Sequence, residues 1–157
     1  MSTAAEKPDR PQLGALIRLA AQYMNERLSA WIAESGYQGI QPAHSAVIQP
    51  LWAAPEGLRS SALAQESRIT KQSMSALISD LERGGYVERV VDPDDARAAR
   101  VRLTARGRAY GRAVRNFARS VEAELAKQAG AQRIEELRAT LDLLRTAVIV
   151  PRQRGDG

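Results

Sequence analysis

Helical periodicity of hydrophobic and polar residues is clearest between Lys71 and Arg83. The apolar residues of this segment recur at intervals of three and four, which places them on one face of an α-helix: Met74, Leu77, Ile78 and Leu81. The other side carries small or polar side chains and one arginine: Gln72, Ser73, Ser75, Ala76, Ser79 and Arg83. Because short polar side chains let a helix backbone approach base edges in a groove about 12 Å wide, this pattern favours a helix that reads DNA.

Capping residues predict a second, shorter helix before this one, from Ser61 to Glu66 with Ser60 as its N-cap. Thr70 is suited to cap the longer helix, and Gly84-Gly85 is suited to end it, since a helix C-terminus commonly needs a residue in the left-handed conformation. Two short helices joined by a few residues define a helix-turn-helix.

Alternating residues predict a β-hairpin after these helices, with strands from Tyr86 to Val91 and from Arg100 to Thr104. The eight residues from Asp92 to Ala99 are too many for a tight turn, so we expect a hairpin with a long tip, which is a wing. Asp92, Asp94 and Asp95 lack the glycine and distal glutamate of a calcium loop, and we expect them to cap backbone groups instead of holding a metal.

Helices are also predicted on both sides of this region, at residues 13–32, 105–128 and 132–149, with Thr104 as the N-cap of the second of these. Another helix begins near Pro42, and Pro50 predicts a kink or break in it between Ala46 and Gln49, because proline clashes with the carbonyl four residues back. The last helix carries a heptad-like seam: Ile134, Leu137, Leu141, Leu144 and Val148. A similar stripe on the first helix suggests that both chain ends pack across a two-fold interface.

The predicted fold is therefore mainly α with a small β-hairpin wing, comprising a winged helix-turn-helix lobe and a helical dimerisation lobe. We expect a disordered lead at residues 1–10 and a frayed tail at residues 151–157. The DNA-binding region comprises residues 42–119, and the dimerisation region comprises residues 11–41 and 120–150.

The net charge of +5 favours an anionic partner such as nucleic acid. Four arginines recur along one face of the predicted helix after the wing, and they are suited either to phosphate contact or to pairing with acids of other helices: Arg108, Arg112, Arg115 and Arg119. No apolar run reaches the ~18 residues of a membrane span, and the N-terminal segment lacks a signal-peptide core. We therefore expect a cytoplasmic protein with no membrane partner.

Catalytic and metal-binding patterns are weak in this chain. It has one histidine and no cysteine, and it has no phosphate-cradling glycine motif. We therefore predict no catalytic residue, metal or cofactor. Two other functions remain open at this stage, a winged-helix protein-interaction module without DNA binding and a ligand-binding enzyme on the same scaffold.

The segments LERGGYVERV, DPDDAR and VRLTARG, in this order, resemble the MarR (multiple-antibiotic-resistance regulator) family of bacterial transcription factors. The resemblance spans about residues 13–149, and its specific part is residues 63–107. It implies a homodimer that binds a pseudo-palindromic DNA operator, most simply as a repressor, and that a small-molecule effector releases. Ala96 departs from the family pattern, which often has a second arginine there.

The residues that we expect to contact DNA fall into three groups. Gln72, Ser73, Ser75 and Ser79 belong to the exposed helix face, where we expect the first three to meet base edges. Phosphate contacts are expected from Thr70, Lys71, Ser60 and Ser61. In the wing, the resemblance implies that Arg97 enters the minor groove and that Asp95 orients it.

The resemblance also implies an effector pocket between the DNA-binding lobe and the dimer helices. Its candidate lining residues are aromatic or polar: Tyr23, Arg27, Trp31, His44 and Trp52. Each of them also fits an ordinary role in core packing or as a satisfied buried polar group.

Overall fold

The structure, a computed structural model, describes residues 10–146. They divide into two units, with the boundary between Gly111 and Arg112. Most of the predicted lead, the tail and the end of the last predicted helix, including Val148, lie outside the described residues.

The elements follow the predicted order. The helices are α1 (Leu13–Glu34), a 3₁₀ turn (Pro42–His44), α2 (Ser45–Ala53), α3 (Ser60–Glu66), α4 (Lys71–Arg83), α5 (Ala105–Ala129) and α6 (Ala131–Leu144). The strands β1 (Val87–Asp92) and β2 (Asp95–Leu103) form a two-stranded antiparallel sheet. The predicted fold class, mainly α with a β-hairpin wing, is confirmed.

The core of the first unit forms around the apolar face of α4. Met74, Ile78 and Leu81 are fully buried, as the periodicity predicts. Further fully buried side chains come from α2, α3 and β2: Val47, Leu51, Leu63 and Val101. Burying a side chain of this size stabilises the fold by roughly 1.5–3 kcal/mol, so this face determines how α4 is held.

Pro50 lies inside α2, which continues from Ser45 to Ala53, so the predicted break between Ala46 and Gln49 is wrong. Proline has no N–H to donate to the carbonyl four residues back, which belongs to Ala46. The hydroxyl of Ser67 donates a 2.6 Å hydrogen bond to that carbonyl instead. Pro50 therefore leaves no unpaired carbonyl at Ala46, because Ser67 at the end of α3 supplies the donor. The helix continues to Ala53.

We expect Ser67→Ala to lower the free energy of unfolding by about 1–3 kcal/mol, because the half-buried Ala46 carbonyl loses its donor. In a Pro50→Ala background the new backbone N–H can donate to the same carbonyl, so Ser67→Ala should cost less there. Denaturant titration of the four chains of this double-mutant cycle measures the difference, with Ser61→Ala as a control at an exposed serine. Strictly additive costs would contradict this account.

The N-terminus of α3 differs from the prediction. Arg59 is the N-cap, no side chain caps the helix, and Ser60 is its first residue. The predicted capping role of Ser60 is therefore wrong. The backbone at Arg59 is extended and already accepts from the N–H of Leu63, so the helix begins one residue earlier than the serine pattern indicated.

The wing has no long irregular tip, so this prediction is also wrong. The strands continue to Asp92 and Asp95, which pair with each other, whereas Val91 pairs with Ala99. Residues 96–98 therefore form a bulge on β2, opposite the peptide bond between Val91 and Asp92 of β1. The side chain of Asp92 accepts from the N–H of Asp94, which closes a short turn that strand alternation does not reveal.

The second unit contains the greater part of α5 together with α6. Arg138 of α6 donates to Glu122 of α5 at 2.7 Å and to Glu135 at 3.2 Å. No residue of α6 is buried within its described length, and Leu137, Leu141 and Leu143 are exposed. In the first unit, α1 exposes a comparable set of large apolar side chains: Leu13, Leu16, Ile17 and Leu19.

Candidate nucleic-acid interface

The polar side of α4 is exposed along its length, opposite the buried apolar face. Lys71, Gln72, Ser73, Ser75 and Ser79 all lie on it. Since the core holds α4 by its other face, these side chains are presented on a helix whose position the packing fixes. The helix has the same bounds as predicted.

Thr70 caps α4 as predicted. Its Oγ1 accepts from the N–H of Ser73 at 3.1 Å, and its hydroxyl donates to the Ser73 Oγ at 2.9 Å. The Thr70 hydroxyl is therefore engaged in the helix, whereas the Ser73 hydroxyl hydrogen stays available to a ligand. Ser60 is half-buried and Ser61 is exposed in the first turn of α3.

Arg97 is exposed in the bulge of the wing. Its backbone N–H donates to Asp95 Oδ1 at 3.0 Å, so Asp95 fixes the backbone at Arg97. The resemblance implies that the aspartate orients the arginine side chain, and the contact in the structure is with the backbone N–H of Arg97. The described residues contain no group of three or more side chains that could hold a metal ion.

The arginine stripe of α5 begins with Arg108, which donates to the carbonyl of Leu103 at 2.7 Å in the first unit. Arg112, Arg115 and Arg119 lie in the second unit and are exposed. Arg108 thus binds a backbone carbonyl. The sequence analysis had considered only phosphate contact and pairing with acids for these arginines.

Next to the turn of the wing lies a buried carboxylate, Asp92, whose ion pairs the sequence analysis did not predict. Asp92 is only 1% exposed and pairs with Arg59 Nε at 2.5 Å and with Arg100 at 3.1 Å. The hydrogen bond from Arg59, with help from the Asp94 N–H and Arg100, lowers the pKa of Asp92 to about 2. Arg59 precedes α3, so the ion pair ties the wing to the helix-turn-helix. Local sequence does not predict this ion pair, because Arg59 lies 33 residues before Asp92.

A pH dependence follows from Asp92. Its pKa is lowered from 3.8 to about 2, so its contribution to stability is fully present above pH 3.8 and disappears as the pH falls through about 2. We expect Asp92→Asn to lower the Tm at neutral pH and the difference from the wild type to shrink on acidification. Thermal unfolding at several pH values measures this, with the exposed Asp94→Asn as the matched control. A difference that stays constant down to about pH 2 would contradict this role for Asp92.

The first unit contains an aromatic cluster formed by four side chains: Trp31, Tyr37, Tyr86 and Tyr110. The ring of Tyr37 packs edge-on against that of Tyr110, with 5.1 Å between centroids. Burial raises the pKa of Tyr110 to about 12, and the neighbouring tyrosines Tyr86 and Tyr37 contribute further. Of this cluster, the sequence analysis proposed only Trp31 as a site residue, since the tyrosines lie on different elements and share no local pattern.

The five candidate pocket residues have different surroundings. Tyr23 and Arg27 pair with each other on α1, where the guanidinium donates to the Tyr23 hydroxyl at 2.9 Å. Trp31 and Trp52 both meet the start of α5, at Tyr110 and at Gly111 respectively. A β-carbon at position 111 would collide with the Trp52 ring. Only glycine leaves room for the indole at this position.

His44 lies apart from these residues, at the edge of a cleft of about 570 Å³ that Asp80, Arg83 and Arg106 also line. The imidazole is buried, and its Nδ1 accepts from the N–H of Gln41 at 2.9 Å. Burial lowers the pKa of His44, and Asp80 at 4.0 Å opposes that shift in part. The Nε2 of the imidazole faces Asp80 of α4.

Comparison with known proteins places these features in a class. The model of the MarR family matches residues 38–98. An HTH-type transcriptional repressor from Mycobacterium tuberculosis is 31% identical over 88 residues, which is 56% of this chain and 63% of that protein. The match thus spans less than two thirds of that repressor's length.

Solved structures extend the likeness over most of the chain. The repressor CouR bound to a 23-mer DNA duplex has a TM-score of 0.73 at 26% identity, covering 86% of this chain and 93% of that one. A MarR family protein from Mycobacterium tuberculosis in complex with salicylic acid has a TM-score of 0.66 at 26% identity, covering 87% and 98%.

The fold and the exposed helix define a winged helix-turn-helix protein. The resemblance to the MarR family is confirmed, since the family model matches residues 38–98 and MarR-type structures share the fold of this chain. None of the helices within residues 10–146 is both long and apolar enough to cross a membrane.

Proposed function

We propose that this protein is a DNA-binding transcriptional regulator, acting as a repressor and not as an enzyme. The exposed polar face of α4 carries the proposal, because a helix held rigidly by its apolar side presents short hydrogen-bonding side chains outward. The exposed Arg97 supplies a second reading element in the wing. Further support comes from the 31% identical relative named as a repressor and from the DNA-bound structure of CouR.

Selection of bound duplexes from a random DNA pool tests this function, followed by affinity titration at several salt concentrations. We expect one pseudo-palindromic sequence to be enriched and its affinity to fall steeply with added salt, since phosphate contacts release counterions. Recovery of no preferred sequence, together with weak binding that hardly responds to salt, would favour a protein-interaction module instead.

Arg97→Ala should weaken binding to the selected operator by about 1–3 kcal/mol, because the wing loses its cation. Lys127→Ala removes an exposed cation from the end of α5 in the second unit and serves as the control for a general loss of charge. Gel-shift titration at fixed salt compares both with the wild type. If the two variants bind equally well, Arg97 does not contact DNA.

We propose that the regulator is a homodimer that places two recognition helices, the α4 helix of each protomer, in successive major grooves. The exposed apolar side chains of α1 and α6 support this, since an apolar face of that size is normally covered in solution. In the described residues, each of these faces is left uncovered by its own unit.

The double substitution Leu137→Glu with Leu141→Glu should therefore give a monomer and lower operator affinity at least tenfold, because one half-site no longer assists the other. Ala139→Glu adds charge to the opposite side of the same helix and should leave the dimer intact. Sedimentation velocity reports the mass, and circular dichroism checks that the helices persist. A wild-type chain that sediments as a monomer at micromolar concentration would rule out the dimer.

We further propose that a small-molecule effector releases the DNA. Support comes from the salicylic acid complex of a relative and from aromatic and basic groups near the start of α5, namely Trp31, Trp52 and Arg106. Linkage requires that an effector which weakens DNA binding be itself bound more weakly by the DNA complex. Titration of salicylate with and without operator tests this, and equal affinities would exclude salicylate as the releasing ligand.

A further inference from the structure

The helices α3 and α4 end in the same hydrogen-bonded motif. At the end of α4, the N–H of Gly85 donates to Glu82 and the N–H of Tyr86 donates to Leu81. At the end of α3, the N–H of Arg68 donates to Gln65 at 3.3 Å and the N–H of Ile69 donates to Ala64 at 3.1 Å. Both are Schellman motifs, in which the residue after the C-cap must adopt a left-handed conformation.

The two motifs differ in the residue that occupies this left-handed position. In α4 it is Gly85, with φ of 73°, which has no Cβ and adopts the conformation without strain. In α3 it is Arg68, with φ of 54°, the one non-glycine residue with positive φ among residues 10–146. A β-carbon disfavours this region, so the position is one at which glycine would serve the fold better.

Nothing within the described structure offsets that strain. The Arg68 side chain is exposed, and among residues 10–146 its guanidinium makes no hydrogen bond or ion pair. Glu66, the nearest acid along the chain, is also exposed and is not paired with it. The arginine therefore contributes neither packing nor an ion pair to its own unit.

We propose that Arg68 is a DNA-contacting residue that binds a backbone phosphate beside the recognition helix. Arg68 lies two residues before Thr70, the N-cap of α4, in the turn that joins the helices. In a helix-turn-helix the second helix enters the major groove while the first crosses the backbone. The turn between them thus lies at the wall of the groove, where phosphates and not base edges are within reach. This inference rests on the proposed DNA-binding function.

Two substitutions separate the charge from the backbone strain. Arg68→Ala removes the guanidinium and keeps a β-carbon in the left-handed position, whereas Arg68→Gly removes both. Both should weaken operator binding equally, by roughly eightfold for each lost contact at 0.1 M salt, and should reduce the slope of log K against log salt by about 0.9 per contact. The loss should be the same on random duplex, since a phosphate contact carries no sequence preference.

The two variants should differ in thermal stability, although both should bind DNA more weakly. Arg68→Gly should raise the Tm by about 2 °C, because the strain is relieved, whereas Arg68→Ala should not raise it. Lys127→Ala should change neither the affinity nor the salt slope, as a control for net charge.

Two results would overturn the assignment. The first is wild-type affinity and salt slope in both Arg68 variants, and the second is a changed base preference, which would mean direct readout. Either result would leave wild-type operator binding in place. Failure of the wild-type chain to bind any selected duplex would instead refute the proposed function.

Discussion

The junction of α4 and the wing is organised around one buried side chain, Tyr86. Its hydroxyl donates to the carbonyl of Gln38 at 2.9 Å and accepts from Arg106 at 3.1 Å. Its N–H closes the end of α4 at Leu81, and its carbonyl accepts from the N–H of Thr104. One fully buried residue thereby connects the loop after α1, the end of α4, the first wing strand and the start of α5.

This arrangement explains two of the motifs in physical terms. A side chain at Gly107 would lie 2.0 Å from the Tyr86 carbonyl oxygen, and one at Gly84 would lie 2.8 Å from its ring. Thr104 donates to the carbonyl of Gly85 at 2.6 Å and accepts from the N–H of Gly107 at 3.1 Å. Gly84 of the segment LERGGYVERV and Gly107 of the segment VRLTARG therefore leave the space that the tyrosine needs, and Thr104 joins the two segments through its hydrogen bonds.

The spacing of apolar residues and the capping residues were enough to predict an element whose boundaries depend only on residues close to it in the chain. The bounds of α4, its Thr70 cap and its buried face follow from spacing alone, and so does its exposed polar side. The failures have distant causes. Pro50 is accommodated by Ser67, which donates to the Ala46 carbonyl 21 residues before it, and Asp92 of the wing pairs with Arg59, 33 residues away. For the same reason the tyrosines of the aromatic cluster could not be assembled from sequence, since each lies on a different element.

The two proposed DNA-reading elements are fixed to the same core by different forces. The recognition helix is held by apolar burial of Met74, Ile78 and Leu81, which neither pH nor moderate salt weakens. The wing strands also bury Val87, Val101 and Leu103, but the far end of the wing is held by the ionised Asp92, whose partner Arg59 remains 46% exposed, so that this contact is open to screening. Local opening should therefore begin at the wing while α4 stays in place. Affinity contributed by the wing then depends on solution conditions in a way that readout by the helix does not.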